Sequence, residues 1–259
     1  MIIIFSIIVG VGLLTGVAIA MVSKFFGTQP DPLVNELLAL LPGANCGGCG
    51  YPGCAGYAAA LAAKKAKPGS CAAQKPEALE AMSKRLGTAA EARDPRVAVV
   101  MCSGDDIHAT RQAQYNGINN CRDAMLVAGG AKTCTFGCLG LGACARACPF
   151  GAIEINGHHI AVVHKELCKG CGKCVQTCPK KLIRLVPKSA PIHVHCSNPQ
   201  KGALKIKACK AACIGCGKCV KAAPENMRMD SGVSLAKINY ANPPAEELAT
   251  VCPTHALRE

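Results

Sequence analysis

Residues 134–149 read CTFGCLGLGACARACP and residues 168–179 read CKGCGKCVQTCP. The second is an unbroken Cys-x2-Cys-x2-Cys-x3-Cys-Pro run, in which one loop offers three thiolates to a cube of iron and sulfide while the last cysteine serves a neighbouring cube. The first run has the same Cys-x3-Cys-Pro ending, but Leu141 stands where the middle cysteine belongs, and Cys134 lies four residues ahead of Cys138. Crossed ligation assigns Cys148, Cys168, Cys171 and Cys174 to one [4Fe–4S] cluster, and Cys138, Cys144 and Cys178 to another. The missing fourth ligand is read as Cys134, which a turn over residues 134–138 brings within reach. The alternative is a three-thiolate [3Fe–4S] centre, with Cys134 no more than a small buried residue.

Working outward, the chain partly repeats. PIHVHCSNP resembles VAVVMCSGD, and Cys121, Cys134 and Cys138 have the same spacings, thirteen then four, as Cys196, Cys209 and Cys213. The second copy is eroded: CIGCGKCVKAAP keeps Cys213, Cys216 and Cys219 but has Ala223 before its proline, and only Cys252-Pro253 survives of the partner run. By the crossing rule, Cys252 is the fourth ligand of the triplet. Cys102, Cys121, Cys196 and Cys209 are then left over, either for a fifth centre, as additions to the repeat's ligand sets, or as buried thiols. Between the two complete runs, IEI and IAVV flank Asn-Gly, which predicts a hairpin.

Ahead of these runs, Cys46-x2-Cys49-x4-Cys54, followed by Cys71, is a different site, rich in glycines that let backbone pass close to a cluster. It lies between a helical pattern and an alanine-rich helix. EALEAMSKRLGTAAEARDP reads as a polar helix and linker, after which RVAVVMCSG begins a new unit with a buried strand.

Twenty cysteines stand beside nine aromatic residues and no tryptophan. Grouped cysteines of this kind ligate metal; they are too closely spaced for a useful disulfide framework, and thiolate ligands call for a reducing compartment. The formal charge of +13 falls to roughly +5 if four clusters of about −2 are bound. Residues 2–22 carry no charge and are long enough to span a bilayer; positive charge begins at Lys24, which places the rest of the chain in the cytoplasm. From Lys165 to Lys221 thirteen residues are lysine or arginine and Glu166 alone is acidic, which suits an acidic electron carrier. The paucity of aromatics argues against nucleic acid. No catalytic nucleophile and base pair is legible, and the histidines have no ligand spacing.

The hydrophobic anchor, the LLPGANCGGCGYPGCAGYA loop with Cys71 and the paired ferredoxin runs closely resemble the B subunit of the Rnf (Rsx) ion-translocating electron-transport complex, in its extended, anaerobe-type form. The resemblance implies that Cys46, Cys49, Cys54 and Cys71 bind a [4Fe–4S] cluster. It also implies an oxidoreductase subunit that relays electrons between ferredoxin and other membrane subunits of a ferredoxin:NAD oxidoreductase. A polyferredoxin subunit of a membrane hydrogenase or dehydrogenase is the alternative, and a zinc-binding interaction module a remoter one. The expected fold is α+β: a transmembrane anchor over residues 1–26, a helical 4Fe–4S domain over 27–94, a strand-led ferredoxin-like domain over 95–190, and a degenerate ferredoxin-like repeat over 191–259. Three clusters rest on Cys46/Cys49/Cys54/Cys71, Cys134/Cys138/Cys144/Cys178 and Cys148/Cys168/Cys171/Cys174, and a fourth on Cys213/Cys216/Cys219/Cys252.

Overall fold

The computed structural model describes residues 2–26, 31–89 and 94–259. Residues 27–30, at the start of the expected helical domain, and residues 90–93, in the expected polar linker, lie outside them.

Helix α1 (Ile2–Phe26) holds a 21-residue stretch, Ile3–Ser23, of mean hydropathy 2.6, long and apolar enough to cross a membrane. None of that stretch is buried against the rest of the protein, so its apolar side chains find no core within this chain.

Helix α2 (Pro32–Ala39) starts where Asp31 accepts the Leu33 N–H, a carboxylate N-cap with proline in the first turn. Helices α2 and α3 (Gly53–Ala62) bury Leu37, Tyr57, Ala58 and Leu61 between them. The polar segment expected as helix and linker forms α4 (Pro76–Leu86), which ends at Gly87 in the left-handed conformation. Its Met82 is completely buried in the same core and Arg85 pairs with Glu36 at 2.7 Å, so this helix closes the amino-terminal unit.

The next unit has the order β1 (Arg96–Val100), α5 (Cys121–Leu126), α6 (Ala143–Arg146), β2 (Ile153–Ile155), β3 (Ala161–Val163), α7 (Lys173–Thr177) and β4 (Ile183–Pro187). Strand β1 pairs antiparallel with β4, Val97 opposite Val186, so the leading strand completes the ferredoxin-like unit. The expected hairpin forms as β2–β3, with Ile153 opposite Val163. Its connection is wider than a two-residue Asn-Gly turn: Asn156 Oδ1 accepts the N–H groups of His158 and Ile160, and His159 takes φ +52°.

The last unit repeats this plan with β5 (His193–Val194), α8 (Ala203–Ala208), α9 (Lys218–Ala222), β6 (Met227–Met229), β7 (Ala236–Ile238), a 3-10 helix (Glu246–Val251) and β8 (Leu257–Arg258). Strand β5 pairs with β8 as β1 does with β4, and β6–β7 repeats the inner hairpin. Ile192, Val194, Met227, Leu235, Ala236 and Leu257 form its core. The fold survives erosion of the motif because the alternating apolar positions that build these strands remain.

Candidate metal centres

Three groups of cysteines gather as their spacing requires. In the amino-terminal loop, Cys46, Cys49 and Cys54 lie close enough to Cys71 to act on its thiol. Cys54 is held by Asn45, whose side-chain oxygen accepts the Cys54 N–H at 2.8 Å. Cys148, Cys168, Cys171 and Cys174 line one cavity beside Ala98 and Leu185, and Cys213, Cys216, Cys219 and Cys252 line another.

The site with the missing cysteine is assembled differently from the expectation. Cys138, Cys144 and Cys178 line an apolar cavity whose fourth cysteine is Cys121. Arg146 explains how it arrives: its guanidinium donates to the Leu141 carbonyl at 3.0 Å and to the Asn119 carbonyl at 2.9 Å. The loop that lacks a cysteine is thereby clamped to the segment that carries one. Asn120 caps α5, and Cys121 is the first residue of that helix.

Cys134 lies elsewhere. The expected turn is present, with the Gly137 N–H donated to the Cys134 carbonyl at 3.0 Å, but Cys134 is buried beside Asn198, whose amide is 3.6 Å from its sulfur. Leu141 occupies the loop position equivalent to Cys171, and its side chain does not line the cavity. The spacing alone does not place Cys121 at this cavity, because nothing local links it to a loop seventeen residues on; the Arg146 clamp is a tertiary feature.

The surroundings of the sulfurs suit thiolates. Backbone N–H groups of Ala98, Ala152 and Leu182 approach Cys168, Cys148 and Cys178 at 3.3, 3.4 and 3.4 Å. Such donors stabilise thiolate and cluster charge. Burial, followed by the repulsion of Cys138, Cys121 and Cys178, pushes the Cys144 thiol up to about 12. Burial and its neighbouring cysteines do the same to Cys174, also to about 12. A cationic centre among these thiols would favour their thiolate forms. Among the described residues, no three His, Cys, Asp or Glu side chains converge tightly enough for a single ion. Thiols ringing a cavity are donors of the kind a 4Fe–4S centre uses.

The amino-terminal site abuts the ferredoxin-like unit. A Cβ on Gly48 would stand 2.5 Å from the Cys171 carbonyl oxygen, so the backbones meet at a point where no larger residue fits. Cys46 is near enough to Cys171 to raise its pKa, after the larger effect of burial. Cys144 acts likewise on Cys174. Adjacent sites are therefore neighbours in space.

Residues 41–73 match a family model described as a putative Fe-S cluster, and residues 133–182 match a 4Fe-4S dicluster domain. The chain is 42% identical over 201 residues to the B subunit of the Na(+)-translocating ferredoxin:NAD(+) oxidoreductase complex of Acetobacterium woodii, covering 78% of this chain and 60% of that protein. It is 37% identical to the B subunit of the ion-translocating oxidoreductase complex of Methanosarcina acetivorans, over 76% of this chain and 75% of that one. A third relative, the B subunit of the proton-translocating ferredoxin:NAD(+) oxidoreductase complex of Clostridium ljungdahlii, is 34% identical over 77% of this chain and 70% of its own.

The chain belongs to the Rnf B-subunit family. It carries a ferredoxin-like domain of the 4Fe–4S dicluster kind and an apolar helix suited to membrane association. Members of this family are components of oxidoreductase complexes, and the iron–sulfur domains make this chain an electron-transfer protein. Cys121 lines one cavity with Cys138, Cys144 and Cys178, and Cys134 does not.

Proposed function

We propose that this chain relays electrons between a ferredoxin and the membrane subunits of an Rnf-type complex. Four [4Fe–4S] centres would be held by Cys46/Cys49/Cys54/Cys71, Cys148/Cys168/Cys171/Cys174, Cys121/Cys138/Cys144/Cys178 and Cys213/Cys216/Cys219/Cys252. The observation that carries the reading is the contact of Gly48 with Cys171, which puts the amino-terminal site against the dicluster domain. Electron transfer needs such adjacency, whereas a set of independent zinc modules does not.

Helix α1 anchors the chain, with Lys24 on the cytoplasmic side and the metal-bearing units in the cytoplasm. Ferredoxin docks on the last unit. Cys216 is the one exposed cysteine among the described residues, and Lys210, Lys218 and Lys221 are exposed around its loop. Three of the thirteen basic residues are not exposed: Lys165 is half-buried, Lys205 is buried and its ammonium donates to the Ser234 carbonyl, and Lys180 turns toward the Gly129 and Thr135 carbonyls. The ten exposed ones among residues 165–221 still outnumber Glu166. The names of the relatives support ferredoxin as donor and NAD as the distant acceptor of the complex.

Metal and sulfide analysis of the anaerobically purified full chain tests this. Iron and acid-labile sulfide in equal amounts, with reduction by ferredoxin, support the relay, and zinc without sulfide removes it.

A further inference from the structure

Cys102, Cys134, Cys196 and Cys209 belong to none of the four sets proposed for the relay, and neither family model reaches Cys102, Cys196 or Cys209. The fold nevertheless collects them at the seam between the two ferredoxin-like units. A Cβ built on Gly104 would lie 3.5 Å from both Cys102 Sγ and Cys209 Sγ, so those sulfurs stand no more than twice that distance apart. Cys134 and Cys196 are both neighbours of Cys209. Cys196 also packs against the small cluster formed by Ala109, Cys209, Ala211 and Ala212.

Hydrogen-bond donors point at these sulfurs as they do in the other sites. The N–H groups of Gly104 and Cys138 both approach Cys102 Sγ at 3.3 Å, and the Asn198 amide approaches Cys134 Sγ at 3.6 Å. Lys132 is buried, only 3% exposed, and its ammonium has the carbonyls of Gly104 and His159 for partners, at 2.6 and 3.4 Å. It joins no ion pair among the described residues. The half-buried Lys180 ammonium donates to the carbonyls of Gly129 and Thr135, both at 2.7 Å, and joins no ion pair among the described residues. A buried ammonium without a counter-charge is costly. Four neutral thiols supply none, whereas a cube held by four thiolates carries about −2.

The repeat explains why there are four. Cys102 lies two residues beyond β1 and Cys196 two beyond β5; Cys134 precedes Cys138 by four residues and Cys209 precedes Cys213 by four. Each unit thus contributes the same two positions. The units are joined around them by the Ser197 hydroxyl donating to the Met101 carbonyl at 2.8 Å, and by Thr110 N–H donating to the Ala208 carbonyl at 3.1 Å.

We propose that Cys102, Cys134, Cys196 and Cys209 hold a fifth [4Fe–4S] cluster, made jointly by the two ferredoxin-like units. This accounts for all twenty cysteines in five sets of four. It also stands between the two units: the Cys138 N–H ties Cys102 to the dicluster domain, while Cys196 packs both here and against the core beside Cys213, Cys219 and Cys252. Its role as a stepping stone rests on the proposed relay; its presence does not.

The test uses the full chain, purified anaerobically in detergent, with Cys209→Ser and Cys196→Ser variants. The unsubstituted chain is expected to hold about twenty iron and twenty sulfide, and each variant to lose about one fifth of both while the dicluster EPR signals persist. About sixteen iron in the unsubstituted chain, a result that does not depend on the variants folding, overturns the fifth cluster. So does one zinc beside about sixteen iron, or a variant with undiminished iron. Failure of the relay looks different: the chain then holds its clusters but ferredoxin does not reduce them.

Discussion

The backbone N–H of Cys138 donates to Cys102 Sγ at 3.3 Å, while Cys138's own sulfur lines the cavity shared with Cys121, Cys144 and Cys178. One residue therefore belongs to one thiol group through its side chain and touches the next through its backbone. Any change at Cys138 is expected to disturb both, and the identity of the fourth ligand beside it becomes testable.

Cys121→Ser is expected to strip the fourth thiolate from the Cys138/Cys144/Cys178 site and give an oxidised [3Fe–4S] EPR signal there. Cys134→Ser is expected to leave that site as [4Fe–4S]. The opposite pair of spectra would restore Cys134 as the replacement for the cysteine missing at Leu141.

Gly48→Ala forces a Cβ to 2.5 Å from the Cys171 carbonyl. Backbone has to give way, at a cost of roughly 1–3 kcal/mol as for other overpacked contacts. Iron content is expected to stay unchanged while stopped-flow reduction shows slower exchange between the amino-terminal site and the dicluster domain. Unaltered exchange would mean that this contact is not on the route.

Lys218→Glu with Lys221→Glu reverses two exposed charges on α9, the helix that carries Cys219. Steering by complementary charge is worth about tenfold or more in association rate at low salt. Reduction by ferredoxin is expected to slow on that order and to lose much of its salt dependence. Kinetics equal to the unsubstituted chain at low salt would move the docking face elsewhere.

His193 provides the pH dependence. It is buried, with Tyr240 Oη 3.2 Å from its Nδ1; burial, then the nearby His195 and Lys165, push its pKa down to about 4. A depressed histidine contributes stability that is present above its ordinary value near 6.5 and is lost as pH falls toward 4, because the unfolded chain binds the proton more readily. Between pH 7.5 and 5.5 the last unit is expected to lose about 1 kcal/mol or slightly more. Thermal bleaching of the clusters measures this, and His193→Gln should flatten the dependence; an unflattened profile would assign it to another group.

Much of this architecture is legible in the residues themselves. The run at Cys168–Pro179 fixes its loop because three thiolates at x2 spacing fit one cube, and the apolar stretch of α1 declares its length directly. The second unit's strands are readable because PIHVHCSNP retains the alternation and position of VAVVMCSGD. What is not legible is which unrelated segments the tertiary fold brings together. Cys121 depends on the Arg146 clamp between the Asn119 and Leu141 carbonyls, and Met82 joins the amino-terminal core although its helix is mostly polar. Equal spacing in the two repeats also misleads: Cys134 and Cys209 are equivalent and lie near each other, whereas Cys121 and Cys196 are equivalent by spacing but go to different places, because Cys196 also matches Cys102 in its position after a strand.

The most direct test of the relay is EPR of the anaerobically prepared full chain, frozen at intervals after mixing with reduced ferredoxin. Successive appearance of reduced [4Fe–4S] signals, with the exposed Cys216 site first, is the predicted result. A chain that gives no such signal and carries zinc without acid-labile sulfide would contradict it.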